Sequence, residues 1–496
     1  MRDRRSGLST PRNRLSGFEQ RALRRLGHLD LAPDSSLVLG FSGGPDSLAL
    51  AALLSRIGPR AGVRVVAVHV DHQIRRDSQQ EQQRAGELAA KLGVPFRATR
   101  VAGPPLDRHP GAGLEEAARR ERFQVLASVA WEEGAAAVCL AHHEQDQAET
   151  VLLHLLRGAG VSGAAGMAEW STLPVPWWSD VGADRCQPLT LWRPLLSETK
   201  DAVRRYALAT GLDPIEDPSN ANDELLRNAV RLHGILVLEG LRPGAVAALA
   251  RFAQLAAEDD AVLVGITGEV LAKIRDSEGR LEVVALLQEQ KAIQRRVVHR
   301  WLTEMGVRSG PSLERVDAVL ELVGRGTGDR FLEIGEGRVV TVAQGCLLVG
   351  ERTALVEKAA RAFQAPLFPA EGVEGSMIQI PGQLLIGGYQ VALERHGTGK
   401  DEERDAADYS ASVVVPRWQV ELRPPRPGDR WACSGRKLGD WLTAGKVLTL
   451  IRRRLVCVAT GGAVHLVVGV PLPAFEEDAA GAGDPVRITA TRMEGA

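Results

Sequence analysis

The chain has 496 residues, of which 44% are hydrophobic and 25% are charged. This composition is typical of soluble globular proteins and excludes a disordered, collagen-like or overall coiled-coil chain, and the length predicts about three domains. The 61 basic and 62 acidic residues give a formal charge of −1, which excludes a protein basic enough to coat nucleic acid indiscriminately but leaves local patches open.

The cysteines and the apolar stretches of the sequence predict a cytoplasmic protein that does not span a membrane. The five cysteines are scattered and form no CxxC pair, so neither a disulfide framework nor a zinc knuckle is predicted. Residues 1–17 are basic but lack the apolar run of a signal peptide. The apolar stretch 455–470 is broken by Thr460, Gly461 and Gly462, which predicts two strands around a glycine turn rather than a membrane span.

Residues 36–157 alternate short β-branched runs with longer helical stretches, which predicts a parallel sheet with helices on both faces. Ligands of such α/β folds bind at the carboxyl ends of the strands, so functional side chains are expected just after each strand. The predicted strands are 36–41, 63–70, 95–101 and 136–141, and the predicted helices are 46–56, 78–93, 113–134 and 147–158.

The rest of the chain is predicted to add a helical domain and a small α+β domain. Residues 159–192 are rich in Gly, Trp and Pro, and 197–210 are helix-like again. The predicted organisation is a basic N-terminal extension with a helix (1–35), the α/β catalytic domain (36–224), a mainly helical middle domain (225–355), a linker (356–375), a β-rich C-terminal domain (376–473) and a loose tail (474–496).

The most informative segment lies between the first strand and the first helix. Its glycines permit a sharp turn that points backbone N–H groups inward, and the following helix adds its dipole, so the loop suits an anion. It lacks the GK[ST] of a Walker loop, and a plain turn with an N-cap is the alternative. The segment is Ser42, Gly43, Gly44, Pro45, Asp46 and Ser47.

The SGGPDS segment resembles the pyrophosphate loop of N-type ATP pyrophosphatases, the PP-loop ATPases. That resemblance implies cleavage of ATP to AMP and pyrophosphate, with transient adenylation of a carbonyl-type oxygen, and it implies that residues 42–47 bind ATP. Asp71 and His72 close the second strand and are expected to lie near the adenosine. From the residues alone, Asp71 is equally well a turn residue that caps a helix.

Two arginines on the third helix are candidates for a charge-stabilising role. Arg119 and Arg122 are three residues apart, so both can project from one helix face toward phosphate. A solvated charged face is the alternative. The stretch resembles the E-x-x-R-x-x-R-Y pattern of the family, with Phe123 in place of the tyrosine.

The fourth strand is followed by Ala141-His-His-Glu-Gln-Asp-Gln-Ala-Glu-Thr150. Adjacent histidines lack the spacing of helical zinc motifs, so we expect Mg²⁺ held mainly by ATP phosphates with help from Asp46 or Asp146. The stretch resembles G-H-H-x-D-D-Q-x-E-T of tRNA(Ile)-lysidine synthases and matches it at His143 and Asp146. Gln145 replaces the first aspartate, which puts any role for two carboxylates there in doubt.

Three later blocks narrow the resemblance to tRNA(Ile)-lysidine synthases. Each block is unspecific alone, since Asp-Pro-Ser-Asn is ordinarily a turn, but together they follow the order and spacing of that family. The resemblance is strong over about 36–231 and weaker over 417–470. The blocks are RPLL at 193–196, EDPSN at 216–220 with Asp217 and Asn220, and RNxxR at 227–231 with Arg227 and Asn228.

The resemblance implies a two-step ligase whose substrates are ATP, L-lysine and a tRNA(Ile) with a CAU anticodon. The C2 oxygen of the wobble cytidine attacks the α-phosphate of ATP, and the ε-amine of lysine then displaces AMP. Asp46, Arg119 and Asp146 are the expected catalytic residues, with Asp146 as acceptor of the lysine proton. The oligomeric state is left open, a homodimer being one option.

Further residues are candidates for contacts with RNA. Between Arg417 and Arg454 ten basic and three acidic residues give a net charge of +7, which predicts a phosphate-binding surface, a solvated face being the alternative. Tryptophans 170, 177, 178 and 192 are candidates for base stacking, although such a cluster more often packs a loop. The residues expected to contact tRNA are Arg423, Arg426, Arg452, Arg453 and Arg454.

Three rival functions follow from the same residues. A tRNA-thiolating enzyme needs sulfur-handling cysteines, and Cys139 and Cys186 lie far apart in sequence. An amide-forming synthetase shares the pyrophosphate loop but lacks the EDPSN and RNxxR blocks. A non-enzymatic RNA-binding module has no use for such a loop.

Overall fold

The computed structural model divides the chain into two compact units, residues 1–262 and 263–496. The structure describes residues 15–27, 31, 34–71, 78–101, 103–176, 187–216, 226–307, 311–325, 331–335, 337–343, 345–362, 365–368, 375–395, 409–416, 418–444, 447, 449–470 and 484–493.

The first unit is built around a six-stranded sheet of order β3-β2-β1-β4-β6-β5. Strands β1 to β4 and β6 run parallel, and β5 pairs antiparallel with β6 at one edge. The residues of β1 are almost wholly buried, with Leu37 and Leu39 packing in one core cluster and Val38 in another. The strands are β1 Ser36–Gly40, β2 Arg64–Asp71, β3 Phe96–Arg100, β4 Ala135–Cys139, β5 Trp170–Val175 and β6 Gln187–Trp192.

Helices cover this sheet and confirm the predicted α/β class. The four predicted strands and the helices between them are found within about three residues of the expected bounds. The helices are α1 Gly17–Leu26, α2 Pro45–Ile57, α3 Ser78–Lys91, α4 Pro105–Arg108, α5 Leu114–Glu132, α6 Glu144–Leu156, α7 Val161–Ala164, α8 Lys200–Leu208, α9 Leu226–Ala229, a π-turn Val230–Gly234, α10 Ile235–Leu241 and α11 Ala245–Ile274, which continues into the second unit.

The second unit begins with helices packed on a four-stranded sheet of order β7-β10-β9-β8. Trp301 is fully buried at the centre of this core, and its indole N–H donates to Gly279 O at 2.8 Å. The elements are β7 Leu281–Glu282, α12 Val283–Gln288, α13 Lys291–Glu304, α14 Leu313–Arg325, β8 Leu332–Gly335, β9 Arg338–Ala343, β10 Cys346–Glu351 and α15 Arg352–Ala362.

The remainder of the second unit contains two further sheets, of order β11-β15-β17-β18-β16 and β12-β13-β19-β14. The predicted glycine turn is present, since β17 and β18 pair antiparallel around Gly461 at a φ of +59°. The elements are β11 Ser376–Gln379, β12 Gly382–Ile386, β13 Tyr389–Arg395, β14 Tyr409–Val415, β15 Gln419–Arg423, β16 Arg430–Trp431, α16 Leu438–Ala444, α17 Thr449–Arg452, β17 Cys457–Thr460, β18 Ala463–Val467 and β19 Asp484–Arg492.

Two predictions about chain organisation were wrong. The linker predicted at 356–375 is in part helix α15, and Leu367 and Phe368 beyond it are buried in two different cores. The loose tail predicted at 474–496 contains β19, which pairs with both β13 and β14. The linker was predicted from its prolines, but residues 365–368 are all buried. In β19 the buried residues Val486, Ile488 and Ala490 alternate with residues that are at least partly exposed.

The segment 159–192 also contains more structure than its composition suggests. Strands β5 and β6 form an antiparallel pair in which Pro174 lies opposite Pro188. Proline weakens a strand prediction because it cannot donate to the ladder, but it is tolerated where its nitrogen faces away from a partner or lies at an edge.

In the described part of the chain, no single helix is long and apolar enough to cross a membrane. One bent pair, Leu226–Leu241 with Ala245–Ile274 at 100°, passes the same test by length and composition only.

Candidate active site

The phosphate loop lies between β1 and α2, at the carboxyl edge of the sheet. Gly43 has a φ of +80°, and a Cβ atom added there would lie 2.5 Å from Ile215 Cδ1. Ile215 N–H donates to Gly43 O at 2.9 Å, which fixes the turn. Pro45 opens α2, and no side chain in the described residues caps this helix. The start of α2 is therefore free to bind an anion.

A histidine links two carboxylates across the loop. His143 Nε2 lies 3.8 Å from Asp46 Oδ2, and His143 Nδ1 lies 3.3 Å from Asp146 Oδ2. His143 is also the N-cap of α6, since its backbone N–H donates to Asp146 Oδ2 at 2.9 Å while the Asp146 N–H donates to its Nδ1 at 3.4 Å. This reciprocal cap places Asp46, His143 and Asp146 in one group.

The pKa values of the two carboxylates are shifted in opposite directions. Burial raises the pKa of Asp46 above its usual range, and Asp146 adds to this effect, although His143, Lys200 and Arg204 oppose it. Burial also disfavours the charge on Asp146, but His143, His142 and Arg231 together lower its pKa. Asp146 is therefore held as an ionised carboxylate, whereas the cations near Asp46 do not fully offset the effect of burial on its charge.

Arg231 joins this group from the π-turn and is a residue that the sequence analysis did not single out for a role. It donates to Glu149 Oε1 at 3.0 Å and to Asp146 Oδ1 at 3.1 Å, and Glu149 is fully buried. Gln145, which stands where the family has aspartate, donates to Glu149 Oε1 at 2.8 Å. The signal for Arg231 was its place as the last residue of the RNxxR block.

A group of arginine side chains lies around His142, the residue that precedes His143 in the chain. The guanidinium carbons of Arg119 and Arg122 lie 5.5 and 5.9 Å from the ring centre of Phe123. Desolvation and the charges of Arg119 and Arg227 lower the pKa of Arg122 to about 10. Desolvation and the charge of Arg119 likewise lower the pKa of Arg193 to about 10. Cations that repel each other in this way favour the binding of an anion between them.

His142 lies within this arginine group. Desolvation lowers its pKa to about 3, and Arg193, Arg227 and Arg122 contribute to that effect. Its Nδ1 atom is buried and has no hydrogen-bond partner in the described part of the chain. A neutral imidazole with a free nitrogen can bind a polar substrate atom without adding charge.

Two more cations reach the phosphate loop from α8, which packs against α2. Lys200 and Arg204 both interact electrostatically with Asp46, and burial and Arg204 lower the pKa of Lys200. The sequence analysis missed both residues. A usable signal was the position of Lys200 in the first turn of a helix, where the dipole disfavours a cation unless an anion is close.

Several other predicted site residues are either buried or lie outside the described residues. The Asp71 side chain is fully buried and pairs with Arg100 Nε at 3.3 Å, which indicates a structural role for this side chain; its place near the adenosine stays a prediction. Trp192 is buried and stacks on Trp170 at 5.0 Å, which is packing rather than a base-stacking surface. His72, Asp217, Asn220, Trp177, Trp178 and Cys186 lie outside the described residues.

The residues fit a magnesium ion at Asp46 but not at Asp146. Asp46 Oδ1 is buried without a hydrogen-bond partner among the described residues, which suits a metal ligand. Both oxygens of Asp146 already accept hydrogen bonds, from His143 N–H and Arg231. The described residues contain no group of three or more His, Cys, Asp or Glu arranged around a metal.

The predicted RNA-binding arginines divide into three kinds. Arg423 is fully buried and donates to both oxygens of Asp429 at 2.7 Å, so its predicted contact with tRNA is corrected to a structural role. Arg452 donates to Val447 O, and Arg454 donates to Phe368 O at 2.6 Å. Arg453 is exposed. Arg426 is also exposed, although it pairs with Glu421.

Comparison with known proteins agrees with this geometry. Residues 17–236 match the family described as "PP-loop domain", and residues 281–348 match the "TilS substrate binding domain". A parallel sheet with an anion-binding loop after its first strand and cations at its carboxyl edge defines an ATP-binding enzyme of the PP-loop class.

Similar sequences from other organisms show to which family within that class the chain belongs. The chain is 31% identical over 485 residues to the tRNA(Ile)-lysidine synthase of Symbiobacterium thermophilum, covering 94% of this chain and 96% of that protein. It is 28% identical to that of Geobacillus kaustophilus, covering 90% and 94%, and 38% identical to that of Salinispora arenicola, covering 64% and 91%. The chain belongs to the tRNA(Ile)-lysidine synthase family of ligases.

Proposed function

We propose that the chain attaches L-lysine to the wobble cytidine of a tRNA(Ile) with a CAU anticodon, and that it consumes ATP and releases AMP and pyrophosphate. The observation that best supports this reaction is the pairing of an uncapped phosphate loop with the arginine group of Arg119, Arg122, Arg193 and Arg227. That arrangement suits a triphosphate whose charge changes during the reaction.

In the first step the cytosine C2 oxygen forms a bond to the α-phosphorus of ATP, and the bond to pyrophosphate breaks. Residues 42–47 and the start of α2 hold the departing pyrophosphate, aided by Lys200 and Arg204, which stand in for the lysine that this loop lacks. Arg119 stabilises charge that develops at the α-phosphate. A magnesium ion held by Asp46 would neutralise phosphate charge.

In the second step the lysine ammonium loses a proton, the resulting amine nitrogen bonds to C2, the bond from C2 to the AMP oxygen breaks, and the nitrogen loses a second proton to solvent. Lysine is mostly protonated at neutral pH, so a carboxylate must hold the ammonium group and take the proton. Asp146 is the proposed acceptor. Its lowered pKa keeps it ionised at neutral pH, so Asp146 can hold the ammonium group and is unprotonated when the nitrogen must release its proton.

The experiment that tests this function uses purified protein, ATP, labelled lysine and a tRNA(Ile) transcript with CAU. We expect labelled lysine in the tRNA, AMP in equal amount, and lysidine on nucleoside analysis. A tRNA(Met) transcript, which has the same anticodon, is the control for recognition outside the anticodon. Hydrolysis of ATP with no lysine in the tRNA would contradict the proposal.

The variant Asp146→Asn tests the assigned acceptor, because an amide oxygen still accepts the His143 N–H bond. We expect lysidine formation in a single turnover to fall at least a hundredfold, within the range for general bases, while adenylation of the tRNA persists. Near-normal lysidine formation would show that another group takes the proton.

The thiolating rival receives no support from the cysteine that the structure describes near this site. Cys139 is fully buried in β4, where desolvation raises the pKa of its thiol, so it is unsuited to sulfur transfer.

A further inference from the structure

The N-terminal helix α1 contacts the loop that follows the RPLL block. Arg21 donates to both oxygens of Glu198, at 2.9 and 2.6 Å. Arg25 donates to Pro194 O at 2.7 Å and to Ser197 Oγ at 2.6 Å, and it lies 3.6 Å from Glu198. The Glu198 side chain is only 8% exposed. A bidentate pair to a buried carboxylate fixes both position and orientation.

Glu198 lies at the junction of the two helices that bear site residues. Its backbone oxygen accepts the N–H of Glu144 at 3.0 Å, and Glu144 is the first residue of α6, directly after His143. On its other side Glu198 precedes Thr199, which caps α8 and whose neighbour is Lys200. One residue therefore connects the start of α6 with the start of α8.

Helix α1 is itself held in place at a separate point. Glu19 is buried, accepts a hydrogen bond from Tyr206 at 2.8 Å and pairs with Arg56. Phe18 stacks on the ring of Tyr206 at 4.6 Å. Because Glu19 anchors α1 to the rest of the unit, the positions of Arg21 and Arg25 relative to Glu198 are fixed.

We propose that Arg21 and Arg25 are positioning residues for lysidine formation. They act through Glu198, which sets the start of α6 and hence the relation of His143 and Asp146 to Asp46. The inference rests on the proposed function, since it concerns the rate of that reaction. It assigns to α1 a role in catalysis although Arg21 and Arg25 contact no residue of the phosphate loop in the described structure.

The test measures lysidine formation by Arg21→Gln, Glu198→Gln and the double variant. We expect kcat to fall roughly ten- to a hundredfold in each single variant, because small displacements of reacting groups have effects of this size, while KM for ATP stays within about twofold. The double variant should be no slower than the worse single variant, since both changes break one interaction. Arg21→Lys, which keeps the charge but not the bidentate geometry, should give an intermediate rate.

Arg24→Gln is the matched control, because Arg24 is exposed on the same helix and should keep full activity. Thermal unfolding of each variant separates a positioning role from loss of the fold, and Glu198→Gln, which preserves side-chain volume, supplies a second variant if Arg21→Gln does not fold. A kcat within twofold of the unaltered enzyme, or losses that add in the double variant, would overturn the inference. Absence of lysidine with the unaltered enzyme would overturn the proposed function instead, and this inference with it.

Discussion

Gly43 shows how one residue constrains the phosphate loop. Its positive φ of +80° disfavours any residue with a side chain, and an added Cβ would also have to displace the Ile215 Cδ1 methyl group 2.5 Å away. We expect Gly43→Ala to destabilise the fold by about 1–3 kcal/mol and to abolish tRNA-dependent ATP consumption. Gly62→Ala is the control, because Gly62 has a φ of +68° with no atom within 4 Å of the added Cβ and lies at the opposite edge of the sheet. It should cost stability but leave KM for ATP unchanged, and equal kinetic effects would contradict this account of the loop.

The buried carboxylate of Asp46 is expected to lower the stability of the folded protein at neutral pH. Its pKa is raised in the folded protein mainly by burial, so the stability that it contributes is present below its unfolded pKa and is lost as the pH rises through the folded value. Asp46→Asn should therefore raise Tm at neutral pH, with a gain that shrinks on acidification, and should abolish adenylation. Asp201→Asn, at an exposed acid of α8, should not raise Tm. A lower Tm for Asp46→Asn at neutral pH would contradict the assignment.

Residues directly after strands were predictable, and residues whose burial decides their role were not. Asp46, His143 and Asp146 follow β1 and β4, and parallel strands bring such residues to one edge. Arg423 and Asp71 match motifs equally well, yet each is enclosed with an opposite charge. The sequence alone does not show whether such a residue is available to a ligand or buried in an ion pair, because the distance to its charged partner depends on tertiary packing.

At the scale of elements, β19 is a central strand rather than a tail. Val486, Ile488 and Ala490 are fully buried between β13 and β14. We expect Ile488→Ala to destabilise the second unit by about 2–5 kcal/mol, measured by urea unfolding. Thr491→Ala, on the same strand but only half-buried, should cost less than about 1 kcal/mol. Equal small effects would show that β19 contributes little to the core.

Elements with an unambiguous period were predictable, and those containing proline were not. Strands β1 and β2 are continuous apolar runs because both faces of a parallel sheet are covered. In strands β5 and β19 more buried and more exposed residues alternate, but Pro174 and Pro485 argue against a strand when only the sequence is considered. The inward residues of β19 nevertheless follow the period of two expected for a strand with one buried face.

At the scale of the whole molecule, the charge of −1 conceals strong local asymmetry. The arginine group of the first unit and the exposed cations of the second lie in a chain that is neutral overall. Near-neutrality limits indiscriminate binding and leaves affinity to these local surfaces. We expect selectivity for one RNA rather than an absence of RNA binding.

The exposed cations Lys437 and Arg453 test the proposed RNA surface of the second unit. Lys437→Gln combined with Arg453→Gln should weaken tRNA binding and reduce the slope of log K against log salt by up to about 2. Arg60→Gln combined with Lys91→Gln removes the same charge at the amino edge of the sheet in the first unit and should leave the slope unchanged. An unchanged slope in the first pair would relocate the RNA site.

We propose that this enzyme first adenylates its tRNA and then exchanges AMP for lysine. The most direct measurement follows ATP labelled at the α-phosphate in a single turnover with lysine omitted. We predict that the label becomes attached to the tRNA as pyrophosphate is released, and that added lysine then displaces it as AMP. Release of ADP, or transfer of the γ-phosphate to the tRNA, would contradict the account.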